Sequence, residues 1–237
     1  MDELAMDNSP TTDPIVRRLS WATLAATPLM LVASPLLALA YHATSDGAPS
    51  GEAAVVQAWA VPVREAIRPL LEFADADTVY RFYTAAVMVA AVGLVSGVLA
   101  LRRAHRAVMR RGGRVCLGLA AAGYSLMLAG TAVASLTPAT DLAFIALLVP
   151  GMLLTLVGST AVGVWMLYRR AGPVASRVLL AAAIPGFVVI STVGGHNAVG
   201  MASIFVGWAI VGVWLLRLDP TRATASSDTV SRASSRL

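Results

Sequence analysis

Leu101-Arg102-Arg103-Ala104-His105-Arg106-Ala107-Val108-Met109-Arg110-Arg111-Gly112-Gly113-Arg114 packs six arginines into a short link between two apolar runs, 80–101 and 115–136. Each run is close to the ~20 residues that an α-helix needs to cross ~30 Å of hydrocarbon. A short, strongly basic link between two such runs reads as a loop retained on the cytoplasmic side. Four more runs, at 19–42, 142–168, 178–195 and 197–216, then alternate sides. Arg17, Arg18, Arg169, Arg170, Arg177, Arg217, Arg222, Arg232 and Arg236 fall on the same side as the cluster, and only Arg64, Arg68 and Arg81 fall opposite. The expected fold is all-α: a polytopic integral membrane protein of the cell membrane with six transmembrane helices and cytoplasmic N- and C-termini.

Composition agrees with that reading. A chain of 237 residues that is 57 % apolar and 13 % charged lacks the polar surface to enclose itself as a soluble globule. All eighteen basic residues are arginine, and the formal charge of +5 is a topology signal rather than a nucleic-acid patch. Cys116 is the only cysteine, which excludes an intrachain disulfide, a redox thiol pair and a cysteine zinc cluster. Three histidines, His42 and His196 outer and His105 inner, do not supply a facing pair for haem, and no cofactor or metal is expected.

Residues 1–16, with Asp2, Glu3, Asp7 and Asp13 and no basic residue, read as a disordered leader, and 218–237 as a disordered tail. The membrane domain spans 17–217. Ala38-Leu39-Ala40 has the small-residue pattern of a signal-peptide cleavage site, but the apolar stretch before it exceeds the usual ~7–15 residues, so the first run is read as a helix. Pro28 and Pro35 should bend or unwind that helix, which in a membrane requires neighbouring protein and so a packed position.

The outer loop, 43–79, carries Val55, Val56, Trp59, Val63, Ile67, Leu70 and Leu71 at helical spacing, opposite Arg64, Glu65, Arg68 and Glu72. It is expected to lie on the outer leaflet as an amphipathic segment, split by Pro62 and Pro69, with Glu65–Arg68 and Arg68–Glu72 pairs. Asp77 and Thr78 offer an N-cap to the second helix, and Tyr80, Phe82 and Tyr83 suit the interfacial aromatic belt. The connections 137–141 and 194–197 are short enough to make hairpins of helices three with four and five with six. Kinks are expected at Pro150-Gly151 and Pro185-Gly186. Gly93-x-x-x-Gly97, Ser159-x-x-x-Gly163 and Ser203-x-x-x-Gly207 offer close helix contacts. The ends of helices two, four and six resemble one another, which fits either three duplicated hairpins or the shared demands of an arginine-terminated apolar helix.

No ionisable residue falls in the middle third of any helix, which disfavours a proton-driven carrier. The polar residues that can converge, His42, Asp77, Asp141, His196 and Asn197, all lie on the outer side and form the candidate binding site. Arg102, Arg103, Arg106, Arg110, Arg111 and Arg114 are candidate contacts for anionic lipid, beside their role in orientation. The chain is also similar in topology to the rhomboid intramembrane proteases. It has a serine on helix four, in Gly158-Ser159-Thr160-Ala161-Val162, and a histidine at the outer end of helix six, His196, followed by Gly200. That resemblance implies a serine hydrolase within the membrane. The chain departs from it at Thr160 and Val157, where the family has glycine, and in lacking the oxyanion residues of helix two.

The functional expectation is a non-enzymatic subunit, sensor or accessory, permease-like component. Its partners would be membrane lipids and another membrane or cytosolic protein, with no nucleic acid. One alternative is a transporter or channel with a path lined by Ser34, Ser96, Tyr124, Thr155 or Ser191; a second is a degenerate rhomboid-like hydrolase.

Overall fold

The computed structural model describes residues 13–106, 109–136 and 144–218. Every regular element among them is helical. Helix α1 runs Pro14–Tyr41, and three short helices follow it: α2 (Ala48–Gly51), α3 (Ala54–Ala66) and α4 (Arg68–Leu71). Then come α5 (Ala76–Ala104) and α6 (Arg111–Leu136), and a π-helical turn, Phe144–Leu148, that leads into α7 (Val149–Tyr168). The last described elements are α8 (Val174–Ala181), α9 (Ala183–Gly194), α10 (Asn197–Gly200) and α11 (Ala202–Arg217).

Five helical stretches, Pro14–Tyr41, Ala76–Ala104, Arg111–Leu136, Phe144–Tyr168 and Asn197–Arg217, are long and apolar enough to cross a membrane. In the fifth apolar run the kink expected at Pro185-Gly186 is a full break of the helix. The run is α8 and α9, bent by 69° at Ala182. Pro185 explains the break: it has no N–H for the carbonyl of Ala181, and its ring clashes with that carbonyl, so the helix ends there and restarts. Pro150 acts in the same way on Ala146, and the wider π turn sits across that gap. Pro28 and Pro35, by contrast, leave α1 one continuous helix of 28 residues. Half of its most apolar window is buried within the protein, as a packed position requires.

The helices form a closed ring in which α1 packs on α5, α5 on α6, α6 on α7, α7 on α8, α8 on α11 and α11 back on α1. Thr23 Oγ1 reaches Gly93 O on α5 at 3.0 Å, and Thr27 Oγ1 reaches Phe205 O on α11 at 3.4 Å. α6 and α7 approach closely at several successive glycines. Cβ atoms added at Gly151 and Gly158 would lie 2.6 Å from Met127 N and 2.5 Å from Ala120 N, so the two backbones touch with no side chain between them. Gly123 and Gly130 face the same seam from α6. Apolar side chains also cover the outside of the ring: Val32, Val89, Ile145, Val188 and Val189 are all more than half exposed. That is the pattern of a protein whose solvent is hydrocarbon.

At one end of the bundle, the arginine end, Asp13 caps α1 by accepting from Ile15 N at 2.9 Å, so residues 14–16 of the expected leader are helical. The link from α7 to α8 turns through Arg170 (φ 51°) and Gly172 (φ 71°). Arg177 holds that turn, with Nε donating to Ala171 O (3.0 Å) and Gly172 O (2.8 Å) and Nη2 to Arg170 O (2.9 Å).

At the opposite end, the loop end, α2 to α4 fold down onto the bundle rather than lying apart from it. Val56 and Ala60 of α3 form a small core with Leu39 of α1. Trp59 Nε1 donates to Val193 O (2.8 Å), Arg64 Nη2 to Leu39 O (2.9 Å) and Tyr83 OH to Leu70 O (2.8 Å). Arg64 thus satisfies one of the terminal carbonyls of α1 with a positive charge, where the helix dipole favours it. Pro62 sits inside α3 without breaking it, and the break falls before Pro69. Arg68 and Glu72 pair at 2.6 Å on the surface; no Glu65–Arg68 ion pair forms among the described residues. The cap of α5 is Asp75 and not Asp77: its carboxylate accepts from Thr78 N (3.0 Å) and Thr78 Oγ1 (2.7 Å). These two bonds hold the Asp75 carboxyl below its usual range, and Asp77 lies exposed in the first turn.

Candidate functional site

Two cavities meet at the loop end, divided by a collar of side chains. The deeper one, about 150 Å³, is a partly open pocket bordered by α1, α5, α6, α7 and the start of α11, with Met30, Leu37, Val87, Met152 and Met201 among its walls. The shallower one, about 500 Å³, forms a vestibule bordered by Ser50, Ala53, Ser191, Thr192 and Gly195. Tyr80, Phe144, His196 and Asn197 line both.

The collar is built from the turn between α9 and α10. Gly195 ends α9 in the left-handed region (φ 64°), which a glycine adopts without strain. A Cβ there would also lie 2.7 Å from His42 Nε2 and 2.9 Å from Val56 Cγ2, so the position is closed on both grounds. His42 Nε2 donates to Gly195 O at 3.3 Å, and Trp59 holds Val193 from the other side. His42 is therefore a support for the turn rather than part of the collar. Burial, and secondarily Arg64, hold its imidazole below the usual histidine range, against the opposing pull of the Gly195 bond.

His196 caps α10 with its ring: Nδ1 accepts from Ala198 N at 3.1 Å. An accepting Nδ1 places the proton of the neutral ring on Nε2, which has no hydrogen-bond partner among the described residues. Tyr41 packs edge-on against the imidazole with centroids 5.0 Å apart, and Tyr80 at 6.4 Å. Burial among these rings, helped slightly by His42, pushes the His196 pKa down to about 4, so the collar carries no charge at neutral pH. The unfolded chain, with an ordinary histidine, binds a proton that the folded chain refuses between about pH 6.5 and 4. Stability is therefore lost as pH falls through that window. Thermal midpoints measured from pH 7 to 4.5 should decline in the wild type and decline less in His196→Asn, which keeps a capping side chain without the imidazole; equal declines would discard this assignment.

The sequence groups His42, Asp77, Asp141, His196 and Asn197. The structure brings His196 and Asn197 together at the collar and places His42 behind them. Asp77 lies on the first turn of α5 and lines neither cavity, and Asp141 lies outside the described residues. Tyr41, Tyr80 and Phe144 complete the collar and carry no such signal in the sequence, because aromatic residues near helix ends are expected at any bilayer interface.

Ser159 has a different neighbourhood from His196. Trp208 Nε1 donates to Tyr124 OH (2.7 Å), Tyr124 OH bonds Ser159 Oγ (2.7 Å), and Ser159 Oγ donates to Thr155 O (2.5 Å). The tryptophan, tyrosine and serine side chains are fully buried. Because Trp208 can only donate and the Ser159 proton is committed to a carbonyl, the chain has one direction, with each O–H passed to the next acceptor. Among the described residues the hydrogen-bond partners of Ser159 are Tyr124 and Thr155, and the Nδ1 of His196 accepts from Ala198.

The six arginines Arg102, Arg103, Arg106, Arg110, Arg111 and Arg114 are all exposed at the arginine end. Arg103 pairs with Asp13, whose carboxyl is held below its usual range by that guanidinium and by Ile15 N–H. Arg114 Nε donates to Met109 O at 3.2 Å. Arg102, Arg106, Arg110 and Arg111 meet no carboxylate among the described residues. Arg111 and Arg114 begin α6, where the helix dipole disfavours cations, so helix stability is not what places them there.

No protein-family model, curated protein or solved structure matches the chain.

Proposed function

We propose that this chain is a six-span protein of the cell membrane, with α8 and α9 counted as one broken span and the arginine end and both termini cytoplasmic. The arginine distribution supports the orientation, since fifteen of the eighteen then lie inside. The exposed arginine loop meets anionic headgroups there. The protein acts as a non-enzymatic binding component, a sensor or accessory subunit, that takes a small apolar molecule at its outer end.

One observation carries this reading: an apolar cavity that adjoins a more polar vestibule, with Tyr80, Phe144, His196 and Asn197 bordering both. The threonine hydroxyls of its lining are already satisfied. Thr84 Oγ1 donates to Tyr80 O (2.9 Å) and Thr131 Oγ1 to Met127 O (2.5 Å). An apolar cavity of about this size accepts a benzene-sized molecule. Toluene at ten times its dissociation constant should add about 1.4 kcal/mol and raise the thermal midpoint in lipid nanodiscs by roughly 3–6 °C. Ala91→Leu, which extends a buried wall residue into the space, should abolish that rise. Equal shifts in both proteins would mean that toluene acts elsewhere, and the reading would be given up.

A further inference from the structure

We infer that the molecule bound at this site is an uncharged amphiphile: one ring or short chain bearing a hydroxyl or carbonyl oxygen, its apolar part in the deep cavity and its oxygen at His196 Nε2. This rests on the cavity being a binding site, as proposed above, and adds the chemistry of the ligand and its orientation.

Three features of the collar set the ligand's chemistry. Both threonine hydroxyls in the wall of the deep cavity are turned back onto their own helices, which leaves its polar groups at the collar, on Tyr80, His196 and Asn197. An apolar group is therefore the only part of a ligand that gains by entering it. The boundary has the reverse character. His196 has an unused Nε2–H, and Ser191 Oγ, on the vestibule side, is buried without a partner. A buried polar atom left unmatched, as Ser191 Oγ is, is costly, and the unengaged Nε2–H of His196 beside it can donate to a ligand oxygen at the same level. Charge is the third feature. Among the described residues no Asp, Glu or Arg lines either cavity, and the imidazole is neutral, so nothing there compensates a carboxylate, phosphate or ammonium for its lost hydration. Size limits the apolar part to about one benzene ring, while the wider vestibule sets no such limit on a substituent beyond the oxygen.

The arrangement is read by photolabelling the full chain, in phosphatidylcholine nanodiscs, with a diazirine-bearing benzyl alcohol and mapping adducts by mass spectrometry. Adducts should concentrate on cavity residues such as Tyr80, Met152 and Met201. Competitors are compared at equal concentration in the bilayer. Benzyl alcohol should protect at about three- to tenfold lower concentration than toluene, the worth of one net hydrogen bond, and benzoate should not protect. In His196→Phe the advantage of benzyl alcohol over toluene should vanish while toluene still protects. The wild-type comparison decides even if that variant folds poorly. Equal protection by toluene and benzyl alcohol, or strongest protection by benzoate, overturns the inference and leaves the cavity reading standing. Labelling spread evenly over the lipid-facing helices and protected by neither removes the cavity reading as well.

Discussion

Gly158→Ala is expected to cost about 3 kcal/mol of unfolding free energy, and Gly118→Ala to add about 0.5–1 kcal/mol, though each replaces one hydrogen by a methyl group inside a helix. At Gly118 nothing lies within 4 Å of the new Cβ, so only helix propensity changes, and alanine is the better helix former. At Gly158 the Cβ would fall 2.5 Å from Ala120 N and 2.6 Å from its Cα. These are backbone atoms in the middle of another helix. They cannot swing aside as a side-chain end would, so α6 and α7 must separate along their length. Overpacking ordinarily costs about 1–3 kcal/mol, and a backbone obstacle puts this site at the upper end. Chemical denaturation in detergent micelles measures both variants, and a Gly158→Ala as stable as Gly118→Ala would show that the seam is not as close as described.

The second large effect is expected at Trp208, which is fully buried where α11 meets α6 and α5. Trp208→Ala should cost about 3–5 kcal/mol through the cavity it leaves. Tyr124→Phe removes only an oxygen but strands the indole N–H of Trp208 and leaves Ser159 without its donor, for a cost of about 1–3 kcal/mol. Hydrogen bonds between helices in bilayers average nearer ~0.6 kcal/mol, so the decisive quantity is the coupling and not either single loss. Tyr124→Phe combined with Trp208→Phe should cost less than the sum of the two. Strict additivity would mean that the Tyr124–Trp208 bond contributes nothing.

The spans are legible because hydrocarbon imposes a length and a composition, and both are visible along the chain. α1, α5, α6, the Phe144–Tyr168 stretch and the Asn197–Arg217 stretch fall on the apolar runs to within a few residues. The break at Ala182 is half legible. Pro185 announces it, but a proline acts on the carbonyl four residues earlier, and whether a helix bends or absorbs the loss depends on its neighbours, as the unbroken α1 shows. The α6–α7 seam escapes a search for small residues four apart, because Gly123/Gly130 and Gly151/Gly158 repeat every seven residues. By sequence Asp77 looks the better cap than Asp75 because it adjoins the apolar run. The pairing of the Asp75 carboxylate with both the N–H and the hydroxyl of Thr78 starts the helix earlier.

At the site, His196 and Asn197 stand out in the sequence as polar residues in a short turn. What the sequence does not carry is which nitrogen of an imidazole remains free, or that Tyr41 and Tyr80, from different helices, close around it. Those depend on how the helices are arranged, and helical periodicity is silent on arrangement when a helix is apolar on every face.

The closed ring also has a consequence in time. One of its contacts joins α1 to α11, and the hydroxyl of Thr27 waits for the carbonyl of Phe205, 178 residues later. Synthesis at ~5–20 residues per second leaves the bundle open on one side for roughly ten to forty seconds, with its cavity wall incomplete and the α11-facing side of α1 uncovered. A chain stopped before α11 is therefore not a smaller version of this protein but an open trough, which α11 closes by packing on both α1 and α8.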